Sequence, residues 1–414
     1  MIKRTLLILF LLRLVFHSQA QTWTQYAAAT NNYWPYVACS ADGSTVFAAQ
    51  DDPYKNVRGI YKSTNSGKSW FVTSAPTNGI YHGVVVSADG NRVTLASAKG
   101  MYSSTNAGNS WFLVGATNAD WWNLIASADG NKLCAVTNPA SNPPWLYTSV
   151  DAGNTWIKRT NSFGYDSWGS CASSADGTKI VAQASGKTLR STNAGESWYI
   201  LTNAPRYTAV EVPSQYLACS ADGTIITFAS NLYGNSRLQS PIYLSTNSGE
   251  SWFASVAPSN FWSALSMSAD GSRMLAATGP YSLGASASIT VSDDGGATWV
   301  TTALTNQDII VSDCSADGCK MYVASGWGWF NNAGRIYSRY SPATTKLNLT
   351  TSNNHNAAKV TWVVSSTNVI LQRSADLKNW SATTNPPVLN TDSLQNELTV
   401  PAAGSRQFFR LVTP

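Results

Sequence analysis

The tetrapeptide Ser-Ala-Asp-Gly occurs seven times in this 414-residue chain, beginning at Ser40, Ser87, Ser127, Ser174, Ser220, Ser268 and Ser315. Successive copies are 47, 40, 47, 46, 48 and 47 residues apart. A fixed period in this range means one supersecondary unit stacked on copies of itself, since a single unit cannot bury its own apolar face. The repeat therefore constrains the fold before any local reading begins.

A second motif alternates with the first. It reads STNSGKSW (63–70), STNAGNSW (104–111), SVDAGNTW (149–156), STNAGESW (191–198), STNSGESW (245–252) and SDDGGATW (292–299). Between the motifs lie short runs rich in β-branched and aromatic residues, such as GIYKS, GVVVS and NRVTLASA. No window sustains an apolar spacing of 3.6 residues, which disfavours helical repeats. Each period reads as four short strands joined by Gly, Asn and Asp turns. Four-stranded units at this spacing predict an all-β chain, a β-propeller.

Both motifs have a physical cause. In Ala-Asp-Gly, Asp bonds the backbone ahead of it and Gly tolerates positive φ, which suits a tight hairpin. In the second motif the Asn or Asp accepts backbone N–H groups across the turn. The closing Trp starts the next strand and packs between neighbouring units. The pattern S-x-[DN]-x-G-x-[ST]-W resembles the Asp-box, or BNR, motif of sialidases, xyloglucan-type hydrolases, sortilin-like receptors and photosystem II assembly factors. That resemblance covers roughly residues 22–341 and implies a structural role for the box, between the third and fourth strands of each blade.

Seven hairpins stand against six boxes. The seventh box is expected after GRIYSRY (334–340), where SPATT stands instead. QTWTQYAA (21–28) resembles the strands that follow the boxes, with Trp23 in the place of Trp70. The expected architecture is a seven-bladed β-propeller over 21–341, closed by the N-terminal strand, so that no sheet edge is left open.

Residues 1–20 read as a secretory signal peptide, with Lys3 and Arg4 before an apolar run and a small-residue cleavage site at SQA. Its removal lowers the formal charge from +5 to +2, because Lys3, Arg4 and Arg13 leave with it. Only 12% of residues are charged, so the chain has no electrostatic footprint for nucleic acid. No later segment is apolar and long enough to span a membrane as a helix. A secreted, periplasmic or cell-surface monomer is expected.

The six cysteines include Cys314 and Cys319, which flank one hairpin as CSADGC and are expected to pair across it in an oxidising compartment. Cys39 and Cys219 sit just before the repeated Ser and read as small buried residues. With no Cys-x-x-Cys and three histidines, no metal site and no cofactor is expected. Residues 342–414 form a separate small β-sandwich-like module, similar to C-terminal β-modules of secreted bacterial proteins. Within it, SADLKNW (374–380) is one residue short of a box and lacks its Gly.

If the turns and boxes share one face, function belongs to the loops of the other, which a rigid scaffold presents. That face holds Trp34, Tyr36, Tyr81, His82, Trp121 and Trp122, followed by Trp168, Tyr207, Phe261 and Trp262. Arg58 and Arg206 accompany them. Rings beside polar groups suit a sugar, with the ring on the apolar pyranose face and polar groups on the hydroxyls. The competing role for each ring is to start an inner strand and seal a blade interface.

Catalytic readings find little support. A sialidase needs an arginine cluster, and Arg58, Arg206 and Arg237 would have to converge beside Glu211. A glycan hydrolase needs two facing carboxylates, for which Asp120 and Asp166 are the candidates. A lyase needs a base, for which His82 is the candidate. The expected function is non-catalytic binding of a glycan or an extracellular protein through the aromatic-rich loops. A carbohydrate-active enzyme (glycoside hydrolase or polysaccharide lyase) and a structural or assembly factor are the alternatives.

Overall fold

A computed structural model of the protein describes residues 22–26, 33–52, 57–115, 121–137, 145–159, 168–184, 186–205, 214–231, 239–279, 287–304, 309–325, 334–342, 346–351, 357–367, 369–401 and 407–413. The described residues contain strands and no helix. The signal-like segment 1–20 lies outside them.

The repeat organises seven four-stranded antiparallel sheets. The first comprises Tyr36–Cys39, Val46–Asp52, Val57–Ser63 and Phe71–Val72, in that spatial order. The second to sixth follow the same order, starting from Tyr81–Val86, Trp121–Ala126, Trp168–Ser173, Ser214–Cys219 and Trp262–Met267. The seventh takes Ile309–Cys314, Lys320–Ser325 and Ile336–Tyr340 from the end of the repeats and Thr24–Gln25 from the N-terminus. Thr24 pairs with Ser338 and Gln25 with Tyr337. The Tyr26 hydroxyl adds a 2.6 Å bond to the Ser338 hydroxyl, so this early strand covers the edge that the absent seventh box leaves open.

Each Ser-Ala-Asp-Gly turn is closed by its own side chains. Ser40 Oγ donates to Asp42 Oδ1 at 2.6 Å, and Asp42 Oδ1 accepts the Ser44 N–H at 2.9 Å. Burial opposes the charge on Asp42, but these bonds hold its carboxyl below the usual range. Asp89, Asp129, Asp176, Asp222 and Asp270 are depressed in the same way. The Gly of each turn has a second constraint besides positive φ. At Gly177 (φ +67°), a Cβ would stand 2.9 Å from Lys132 Cβ and Ser127 Cβ of the preceding sheet.

The seven turns are also tied to one another. Ala41 N–H donates to the Ala88 carbonyl, Ala88 to Ala128, Ala128 to Ala175, Ala175 to Ala221, Ala221 to Ala269, Ala269 to Ala316, and Ala316 back to Ala41. All seven bonds measure 2.6–2.9 Å and run in one direction, so the circuit closes on its first member. Cations of one sheet cap the next turn: Lys132 Nζ donates to the Asp176 carbonyl and Lys320 Nζ to that of Asp42.

The second motif folds against these turns. In the first copy Ser63 Oγ accepts the Gly67 N–H, Asn65 Oδ1 accepts the Ser69 N–H, and Trp70 Nε1 donates to the Gly67 carbonyl. Ser66, at φ 59°, then donates its N–H to Ser44 in the hairpin of the same sheet. The other five copies make the same turn-to-turn bond, which places both motifs on one face.

Beyond Pro342 the chain forms a four-stranded sheet (Asn348–Thr351, Ala357–Val363, Gln395–Pro401, Val388–Asn390) and a three-stranded one (Ser381–Ala382, Ile370–Ser374, Phe408–Val412). They close over Val360, Trp362, Leu371, Leu398 and Val400. The shortened motif SADLKNW makes a box-like turn. Leu377 takes the place of Gly at φ 64°, and its carbonyl accepts Trp380 Nε1. The C-terminal sheets rest on the alanine circuit: Val363, Val364, Leu389 and Leu394 form one apolar cluster with Ala41, Ala88, Ala128, Ala269 and Ala316. Ser366 N–H donates to Asp317 Oδ2 at 2.7 Å. In the second and third sheets the matching oxygen is taken by Asn91 and Asn131. Cys319 stands at that position in the seventh sheet, and Asp317 Oδ2 binds the C-terminal sheets instead.

Candidate functional site

With one face occupied by turns and by the C-terminal sheets, the remaining face is formed by the starts of the inner strands and the ends of the second strands. Its best-defined group of polar residues lies on the first two sheets. Asp51 and Arg58 are register partners at the end of one hairpin, and Arg58 Nε donates to Asp51 Oδ1 at 2.9 Å. Asp51 Oδ2 accepts the Tyr81 N–H of the second sheet at 2.7 Å. The Asp51 N–H donates to the Tyr33 carbonyl at 3.1 Å. One carboxylate thus joins two sheets and the segment that enters the first. Burial, with Tyr33 and Asp51 nearby, pushes the Tyr36 phenol well above its usual range. Burial does the same for Tyr81, with Asp51 adding to it. Both phenols stay neutral, and Tyr81 donates its hydroxyl to the Pro76 carbonyl at 2.8 Å. His82 follows Tyr81 in the strand and is half-buried.

The aromatic set divides. Trp34, Tyr81, Trp121, Trp168 and Trp262 are at most 2% exposed, so the structure does not present them to a ligand. They are wedges between sheets. Trp34 meets Tyr61 edge-on at 5.2 Å, Trp121 packs on Trp156 at 5.1 Å, and Trp168 packs on Trp198 at 5.2 Å. Trp262 donates Nε1 to the Ser240 carbonyl at 2.7 Å. The backbone explains the repetition. The pairing at Tyr81, Trp121, Trp168 and Trp262 is followed at once by a bulge, which turns the strand after the large side chain is buried.

Tyr36, Arg58, His82 and Phe261 are half-buried and are the least covered described members of the set. Phe261 lies on the sixth sheet, away from the other three. The backbone of Trp122 is described but its side chain is not. Asp120, Asp166, Arg206, Tyr207, Glu211 and Arg237 lie outside the described residues. Among the described residues no group of three or more His, Cys, Asp or Glu could hold a metal ion.

Cys314 and Cys319 do not pair; both are free thiols. Cys314 belongs to the inner strand and packs toward the sixth sheet, whereas Cys319 sits in the turn beside Arg273 Nη1 at 3.5 Å. The hairpin that looked suited to a bridge sends its two sulfurs to different neighbours.

One residue of consequence escaped the sequence reading. Asp313 holds the second position before the repeated Ser, where the other repeats have Ala38, Val85, Ile125, Ala172, Ala218 and Ser266. A lone carboxylate in an otherwise small or apolar column was the available signal. It accepts the Cys39 N–H of the first sheet and the Cys314 N–H of its own strand, each at 2.8 Å. Burial outweighs these bonds and pushes the carboxyl up to about 6.

No protein-family model and no curated protein matches the sequence. Solved structures match the fold. YCF48 bound to D1 peptide superposes with a TM-score of 0.54 at 15% identity, over 79% of this chain and 96% of that one. An ancestral GH74 enzyme gives 0.51 at 15% identity, over 83% of this chain and 54% of its own. Oligogalacturonate lyase in complex with manganese gives 0.56 at 13% identity, over 76% and 90%. At such identities the likeness is one of architecture. The chain is a β-propeller of the type found in YCF48 and the GH74 enzymes.

Proposed function

We propose that the chain is a secreted or cell-surface, seven-bladed propeller that binds an extracellular protein or a glycan without turning it over. In this reading residues 1–20 are removed, 21–341 form the ring closed by the N-terminal strand, and 342–414 form a module docked on its turn face. The observation that carries the proposal is the docking itself. The apolar patch of Val363, Val364, Leu389 and Leu394 occupies the alanine circuit at one end of the ring. A partner then has the opposite face, where Tyr36, Arg58 and His82 are half-buried.

Two features favour a protein over a sugar as the partner. Five of the rings available for stacking on a pyranose serve as wedges instead. A propeller of the same architecture, YCF48, carries a peptide. The Asp51 carboxylate is spent on Arg58 and the Tyr81 N–H, which suits a structural anchor better than an acid or base. A carbohydrate-active enzyme remains the second reading, favoured by the architecture shared with GH74 enzymes and oligogalacturonate lyase.

The test combines an extracellular-protein pull-down, a glycan array and product assays on a polysaccharide panel, all with the full chain. The proposal expects saturable binding with no product. Release of reducing ends or unsaturated sugars overturns it in favour of the second reading.

A further inference from the structure

We propose that Cys134 and Cys171 form a disulfide that staples the third sheet of the ring to the fourth. Cys134 lies in Leu133–Thr137, the second strand of its sheet, and Cys171 in Trp168–Ser173, the first strand of the next. Both are buried, at 2% and 4% exposure, in one apolar cluster between the two sheets with Val136, Leu146 and Ile180. Both are free thiols in this structure, and that of Cys134 interacts directly with that of Cys171. A small cavity lined by Ile125, Leu133 and Ile180 adjoins Cys134.

Cys39 and Cys314 also approach one another across the closing joint, where both backbone N–H groups bond Asp313, but they belong to different apolar clusters, and Cys219 to a third. Cys319 faces Arg273 and Asp317. Because the inner strand of one sheet faces the second strand of its neighbour, the bridge closes a loop across the interface and not within a hairpin.

The bond forms by thiol–disulfide exchange with a disulfide oxidant, such as oxidised glutathione. One protein thiolate attacks the oxidant and displaces one thiol. The second protein thiolate then attacks the mixed disulfide and displaces the other. Two S–H bonds break and one protein S–S bond forms, while the oxidant takes up the two electrons and leaves as two thiols. The contact with Cys171, and then burial, push the Cys134 thiol far above its usual range, so the thiolate is scarce once the interface has sealed. Exchange therefore belongs to folding, before the two sheets close.

The test folds the full chain with oxidised glutathione, quenches with acid, unfolds it in N-ethylmaleimide and maps the cysteines by non-reducing peptide mass spectrometry. The expected result is four labelled cysteines out of six and one linked peptide pair joining Cys134 to Cys171. The intact mass before labelling is then lower by two hydrogen atoms. The Cys219→Ser variant is expected to keep the same link. Six labelled cysteines, or a link between any other pair, overturns the proposal.

Discussion

Asp313 of the seventh sheet accepts the backbone N–H of Cys39 in the first at 2.8 Å, although 274 positions separate them in the chain. It stands in the interface where the ring closes, the column that elsewhere carries side chains such as Ala38, Ile125 and Ala172. The closing joint thus holds a carboxylate where the others are mainly apolar. Ordinary blade packing is replaced there by a directed bond between the two ends of the repeat array.

This joint is expected to respond to pH. The folded carboxyl of Asp313 titrates at about 6, above its ordinary 3.8, because burial disfavours its charge. A raised acid contributes most below its unfolded value, and that contribution is lost as pH rises toward 6. Stability is expected to fall by on the order of 1 kcal/mol between about pH 4 and 6 from this group, after allowing for its partial contact with water. Urea denaturation across that window checks it, and Asp313→Asn is expected to flatten the slope there.

The turn carboxylates act in the opposite sense. Asp42, Asp89, Asp129, Asp176, Asp222 and Asp270 are held below 3.8, so they stabilise above that pH and cease to do so as it falls further. A steep acid transition below about pH 4 is expected, and Asp313→Asn is expected to leave it in place. Circular dichroism during acid titration of both proteins separates the two limbs.

Gly177 is expected to tolerate no side chain. Gly177→Ala adds the strain of φ +67° to a 2.9 Å approach against Lys132 Cβ and Ser127 Cβ. A loss of about 1–3 kcal/mol is expected from the backbone conformation. Thermal or urea denaturation of the variant measures it.

The wedge and the accessible side chains are expected to behave differently. Trp121→Ala removes a ring with 0% exposure, at an expected cost of about 3–5 kcal/mol in stability. His82→Ala touches a half-buried residue on the open face and is expected to change stability by less than about 1 kcal/mol. Paired denaturation curves decide whether the buried rings are structural.

Much of this architecture was legible in the sequence because both motifs are local. Ser40, Asp42 and Gly43 close a turn among themselves, so a tetrapeptide suffices to place it. Trp23 was legible by its register, and the strand beside it pairs with Ser338 and Tyr337. The fate of Trp121 and Trp168 was not, since a large ring opening an inner strand reads the same whether it faces a partner or wedges two sheets. The meeting of Cys134 and Cys171 was equally hidden, because one lies in a second strand and the other in a first. Only the packing of neighbouring sheets brings those registers together. The seat of the C-terminal sheets on the alanine circuit uses five of its seven alanines, spread from Ala41 to Ala316, and no local pattern announces it.

The central claim is that the face opposite the turns engages a partner without chemistry. The direct measurement is affinity for the partner recovered by pull-down, compared between the open-face variants Arg58→Ala and His82→Ala and a turn-face variant, Glu196→Lys, at an exposed position of the box at 191–198. The account predicts at least a tenfold loss, about 1.4 kcal/mol, for the open-face variants and none for Glu196→Lys. Loss confined to Glu196→Lys, or conversion of the partner to product by the wild-type protein, would contradict it.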